Sequence, residues 1–246
     1  MLLANFLLFA ILTTTISDGI LDNGLAPTRL LHTFKSATQK SCSVRGEKLN
    51  LLIILDSSGS LKREFEEERE VVHDIVDRLT VHPNFTRVAL VQYSGIARTE
   101  FSFLDHNSTN FRINQENIHA RIDDLRFIDG VTYMGKGIYH AIKELDIAKG
   151  WRPTVPTIAF IVSDGRSYDR PRDLDEQAAA ELKGKVIDIY AYGTGEYVAF
   201  EELVDLTGTP EKVFTRSTQN PQLRTYNDML DFFVQFGPQE TCDELQ

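Results

Sequence analysis

Leu51-Leu52-Ile53-Ile54-Leu55-Asp56-Ser57-Ser58-Gly59-Ser60 is the stretch on which the fold turns. Five apolar residues run unbroken, as in a strand covered on both faces at the centre of a parallel sheet. Polarity then changes within one residue. Asp56, Ser58 and Ser60 place three hard oxygens on alternate positions of a tight loop, Gly59 eases the turn, and a helical pattern follows at once. In open α/β sheets, sites form outside the carboxyl ends of the strands. Oxygen donors with one carboxylate suit Mg²⁺ or Mn²⁺ better than Zn²⁺. A serine-rich helix cap explains the same ten residues equally well, so the remainder of the chain must decide.

Downstream, helical spacing puts Leu61, Phe65, Val72, Ile75, Val76 and Leu79 on one face of a helix over 62–79, with Glu66-Glu67-Glu68 read as its solvated side. A buried strand follows over 87–93. After the turn signal Ser94-Gly95, residues 97–103 alternate like an edge strand, and so short a link makes that pair antiparallel. A helix is predicted over 115–125, and another carries Ile138, Ala141, Ile142 and Leu145. Strands over 157–162, 186–192 and 213–214 alternate with helices over 174–182, 200–206 and 222–233, the last with Leu223, Tyr226, Leu230 and Phe233 inward. This pattern predicts an α/β fold: a doubly wound, mostly parallel sheet with one antiparallel edge strand and helices on both faces. Followed by direction, the first strand ends at the top of the sheet, and Thr132 and Asp164 arrive at the same rim. Three loops far apart in sequence therefore converge, which favours a site over a cap.

The chain has 246 residues, 42% of them hydrophobic, and a formal net charge of −10. That size holds one domain with a sizeable core, and the charge argues against nucleic acid as a partner. Residues 2–12 are apolar except for Asn5, too short to span a bilayer and suited to a secretory signal over 1–17. Residues 18–44 read as a polar linker and 45–242 as the domain, with no membrane insertion and an extracellular location. Cys42 and Cys242, the only cysteines, bracket the domain, and an even pair in a secreted chain predicts a disulfide. Asn84-Phe85-Thr86 and Asn107-Ser108-Thr109 are glycosylation sequons, placed by the same topology at the bottom of the sheet.

Asp56-Ser57-Ser58-Gly59-Ser60, Thr132 within Asp129-Gly130-Val131-Thr132-Tyr133-Met134, and Asp164 within Ser163-Asp164-Gly165-Arg166-Ser167 resemble the metal-ion-dependent adhesion site of von Willebrand factor type A domains, also called integrin I domains. The segments 87–93 and 161–168 look most like those of matrilins, cochlin and collagen VI. The resemblance covers about residues 46–236. It implies that Ser58, Ser60 and Thr132 coordinate Mg²⁺ or Mn²⁺ through their hydroxyls, and that Asp56 and Asp164 act directly or through water. It also implies that a partner's acidic residue completes the coordination shell. The partner would be an extracellular protein, with matrix components and collagen as candidates, contacted also by Tyr133, Arg166 and Tyr168. Tyr93 is a further candidate at the rim.

Enzymatic alternatives fit poorly. Gly130 to Lys136 matches seven positions of a P-loop, but Gly137 stands where Ser or Thr must hold Mg²⁺, and no buried strand precedes it. A serine-hydrolase elbow around Ser58 would need Gly where Asp56 stands. None of the six histidines (His32, His73, His82, His106, His119 and His140) falls at the rim as a base. Two classes remain, neither of them an enzyme: a secreted adhesion module that captures a protein through a metal, and a structural matrix component whose metal site is not needed for capture.

Overall fold

The computed structural model describes residues 41–169, 171, 174–216 and 220–243. Nine strands and six α-helices alternate among them: β1 Ser41–Arg45, β2 Leu49–Asp56, α1 Phe65–Asp77, β3 Thr86–Tyr93, β4 Ala97–Phe101, α2 Phe111–Asp123, α3 Met134–Ile142, β5 Thr157–Ser163, α4 Leu174–Lys183, β6 Asp188–Gly193, α5 Phe200–Thr207, β7 Val213–Thr215, β8 Arg224–Thr225, α6 Tyr226–Val234 and β9 Gln239–Asp243. Seven strands form one sheet in the order β4-β3-β2-β5-β6-β7-β8, parallel throughout except for β4, which closes one edge antiparallel to β3. The predicted doubly wound sheet is thus the observed one.

β2 lies at its heart, buried at every position. Strand alternation divides its side chains. Leu49, Leu51, Ile53 and Leu55 enter one apolar layer with Val72 and Ile75 of α1, Ile118 of α2 and Phe233 of α6. Leu52 and Ile54 enter the other, with Ile138 of α3, Leu182 of α4 and Leu203 of α5. Asn50, also fully buried, escapes the cost of an unmet amide. Its Nδ2 donates to Arg152 O and Thr157 Oγ1, and its Oδ1 accepts from Arg152 Nε at 3.0 Å.

Several expected boundaries shift, among them that of the helix expected over 115–125, which starts at Phe111 behind the Asn110 cap. The helix predicted from 62 begins at Phe65, because Gly59–Leu61 first makes a 3₁₀ turn. The helix predicted from 222 begins at Tyr226. Thr225 caps it reciprocally with Asp228, and Arg224–Thr225 adds β8 to the sheet. The segment read as linker to residue 44 contains β1, which pairs with β9 in a separate two-stranded antiparallel ribbon, Cys42 opposite Cys242. Asn84 and Asn107 are exposed, before β3 and after β4, at the end of the sheet away from the C-terminal end of β2. No helix among the described residues is long and apolar enough to cross a membrane. The expected signal over 1–17 lies outside the described residues.

Candidate metal centre

Strand order reverses at β2, whose neighbours β3 and β5 lead the chain in opposite directions across the sheet. That switch point opens a crevice at the carboxyl ends of β2 and β5. Asp56 is the last residue of β2, and Asp164 directly follows β5.

Asp56 is fully buried and held by three strands. Its Oδ1 accepts from the Ser58 amide at 2.9 Å. Its Oδ2 accepts from Ser163 Oγ, at the end of β5, at 2.8 Å and from Tyr93 OH, at the end of β3, at 3.2 Å. Ser58 and Ser60 hydroxyls stand 3.3 Å apart, and Ser60 Oγ donates to Asp164 Oδ2 at 2.8 Å. The other Asp164 oxygen accepts from the Arg166 amide at 2.9 Å. Gly165 makes this loop possible at φ +82°, where an added Cβ would come within 2.6 Å of Ala199 O.

The loop carrying Thr132 is tied to both others. Ser57 accepts from the Asp129 amide through its carbonyl and from the Ile128 amide through its hydroxyl, and the Gly59 amide donates to Gly130 O at 2.9 Å. Asp129 and Gly130 take φ of 67° and 104° to turn there. Thr132, 3% exposed, accepts through its carbonyl from the Tyr168 amide at 2.9 Å. Asp169 adds a brace that the sequence did not reveal: buried, it takes the Gly135 amide at the start of α3 at 2.6 Å and Ser167 Oγ at 2.9 Å. A carboxylate at a helix N-terminus is favourable. Ser60 thereby links Ser58 to Asp164, Asp56 holds the Ser58 amide from beneath, and Thr132 is on a loop bonded to both neighbours.

Electrostatically, the centre is poised for a cation. Burial pushes the Asp56 carboxyl up to about 6, and the negative Asp164 adds to the rise, against the pull of the hydrogen bonds from Ser163 and Ser58. A nearby positive charge reverses such a shift. The donors are oxygen only, two carboxylates and three hydroxyls, the set that hard divalent ions take. The residues present therefore fit a Mg²⁺ or Mn²⁺ ion.

Around the centre, Tyr168 is 58% and Tyr197 66% exposed. Arg166 stands over the Tyr197 ring, and Lys136 lies 3.7 Å from the centroid of the half-buried Tyr133. A groove of about 400 Å³ runs beside Ser60 and Asp164, lined also by Lys62, Arg63, Arg166 and Tyr197. Two expectations are corrected. Tyr93 is fully buried with its hydroxyl on Asp56, so it supports the centre from beneath and presents nothing to a partner. The acidic run of α1 is not a uniform solvated face: Glu66 is exposed, Glu67 accepts from Tyr192 OH and Arg216 Nε, and Glu68 is fully buried. Both Glu68 carboxyl oxygens lack a hydrogen-bond partner among the described residues. Burial, with the charges of Asp56 and Asp164 next in size, drives that carboxyl well above the ordinary range.

Comparison with known proteins agrees with this architecture. Chicken (Gallus gallus) matrilin-1 is 30% identical over 177 residues, covering 70% of this chain and 34% of its own. Cuticlin-6 of Caenorhabditis elegans is 26% identical over 200 residues, 81% of this chain and 31% of its own. The chain thus spans about a third of the length of these relatives. Among solved structures, mussel byssus proximal thread matrix protein 1 with a zinc-occupied MIDAS motif superposes with a TM-score of 0.60 at 21% identity, over 80% of this chain and 48% of its own. Residues 50–228 match the family model of the von Willebrand factor type A domain, and the chain belongs to that family.

Proposed function

We propose that this domain captures an extracellular protein by an acidic side chain, through a divalent cation held at the rim of the sheet. The observation that carries the reading is the convergence of Ser58, Ser60 and Asp164 in hydrogen-bond contact over a buried Asp56. Ser58, Ser60 and Thr132 would hold Mg²⁺ or Mn²⁺ through their hydroxyls. Asp164 balances its charge from the third loop. Asp56, which already takes three donors, holds the Ser58 backbone in place from behind and would meet the ion directly or through water. The ion, when bound, supplies an electrophilic position that a partner carboxylate can fill. Arg166, Tyr168 and Tyr133 then meet the partner around it. The matrix protein named among the structural neighbours, which has a zinc-occupied site, and matrilin-1 among the relatives support a matrix component as the partner class.

This role is one of binding, with no catalytic residue assigned. It sits with secretion by a signal over 1–17 and with glycans on Asn84 and Asn107, far from the rim. The second reading is a structural matrix component that assembles through other faces of the domain. A pull-down from extracellular-matrix extract separates the two. Capture is expected to be lost in EDTA and restored by excess Mg²⁺ or Mn²⁺, and Arg166→Glu is expected to weaken it with metal present. Capture that survives chelation would favour assembly instead.

A further inference from the structure

Away from the rim, His73 of α1 and His119 of α2 meet edge to edge, with ring centroids 4.8 Å apart and planes 24° apart. Their Nδ1 atoms face each other at 2.5 Å. Each Nε2 meets a carboxylate on the opposite helix: His73 Nε2 lies 3.0 Å from Asp123 Oδ1, and His119 Nε2 lies 2.9 Å from Asp77 Oδ1. A carboxylate that accepts from one ring nitrogen fixes the tautomer, leaving the other nitrogen as a lone pair. With each Nε2–H donated to its carboxylate, both Nδ1 atoms become acceptors facing the same gap, which takes a metal ion once the rings part.

We propose that His73 and His119 form a second metal site, for a borderline transition ion such as Zn²⁺, Ni²⁺ or Cu²⁺, with Asp123 and Asp77 as hydrogen-bonded supports. Three features favour an ion over a proton shared by the rings. The carboxylate–histidine pairing, present twice, is the one that orients metal-binding imidazoles. Imidazole nitrogens select zinc, copper and nickel over the hard ions that suit the rim. The rings are also accessible, their side chains 25% and 26% exposed. Two nitrogens at about 2.0–2.1 Å from a tetrahedral zinc stand roughly 3.3 Å apart, so the two rings must part by just under about 1 Å and tilt toward a common vertex. No group of three or more His, Cys, Asp or Glu among the described residues is set to hold a metal. The site therefore has two protein ligands, and water or a group from another molecule completes it.

The test uses the full chain, stripped with EDTA and titrated with Zn²⁺ alone as probe in excess Mg²⁺. One zinc site is expected in the wild type and in Asp56→Ala. His73→Gln and His119→Gln should each weaken it at least about tenfold, and Asp123→Asn by a smaller factor. Circular dichroism checks that each variant is folded, which the partly exposed position of both rings makes the expected outcome. Copper loading adds a signature, nitrogen hyperfine structure from two imidazoles in the wild type and from one in either variant. Unchanged zinc binding in both histidine variants would overturn the proposal. So would loss of the site in Asp56→Ala, which would assign the ion to the rim. Absence of zinc binding by the wild type would overturn it too, leaving a proton between the rings.

Discussion

Cys42→Ser is expected to lower the stability of the domain by about 2–5 kcal/mol, read as a lower urea midpoint under non-reducing conditions. The expectation rests on backbone register. β1 and β9 pair antiparallel with Cys42 opposite Cys242. Opposed residues of such a ribbon have Cα atoms about 4.5–5.5 Å apart, inside the range of about 4.4–6.8 Å that a disulfide spans. The ribbon stands apart from the seven-stranded sheet, and a two-stranded hairpin is marginal in water by itself. A bond between 42 and 242 would close nearly the whole domain into one loop, where the chain-entropy effect is large. Cys242→Ser should match the single variant, and the double variant should add nothing further. Two titratable thiols in the unfolded, unreduced protein would contradict the pairing.

Glu68→Met is expected to act in the other direction, stabilising the domain by about 1–3 kcal/mol at neutral pH, because it removes a buried carboxyl whose oxygens have no hydrogen-bond partner among the described residues. The pH dependence carries a definite sign. Glu68 is raised well above 4.5 in the folded domain, so above that pH the unfolded chain has released a proton that the folded one retains. The unfolded state then binds fewer protons, and stability falls as pH rises, by up to about 1.4 kcal/mol per unit, until the folded group ionises. Glu68→Gln should remove this slope. Its advantage over wild type should grow as pH rises above the ordinary carboxylate range, until the folded group ionises; parallel curves would mean that Glu68 finds a partner in solution.

The same residue shows what the sequence held and what it hid. The central strand, its alternation between two layers and the Asp56-Ser58-Ser60 loop were legible because one short stretch specifies them all. Thr132 and Asp164 could be brought to the rim because each helix and strand reverses the chain. Glu68 was misread because it was grouped with its neighbours in an acidic run. Helical spacing from Phe65 and to Val72 in fact places it on the apolar stripe, so the signal was present. Tyr93 offered a similar one: it shares strand parity with Ala89 and Val91, and all three enter the same apolar layer. The β1–β9 ribbon and the His73–His119 pair had no local signal. Each joins segments distant in sequence through tertiary packing, and neither short ribbon strand shows a clear apolar alternation.

The proposed metal centre is tested most directly by calorimetry with Mn²⁺, a hard ion suited to oxygen donors rather than to the imidazole pair. One site is expected in the wild type. In Asp56→Ala and in Ser60→Ala, with circular dichroism unchanged, affinity should fall by roughly 10–100-fold or more, the scale of losses when even a supporting group of a metal site is removed. Equal Mn²⁺ affinity in all three proteins would contradict the centre and leave these oxygens as loop supports only.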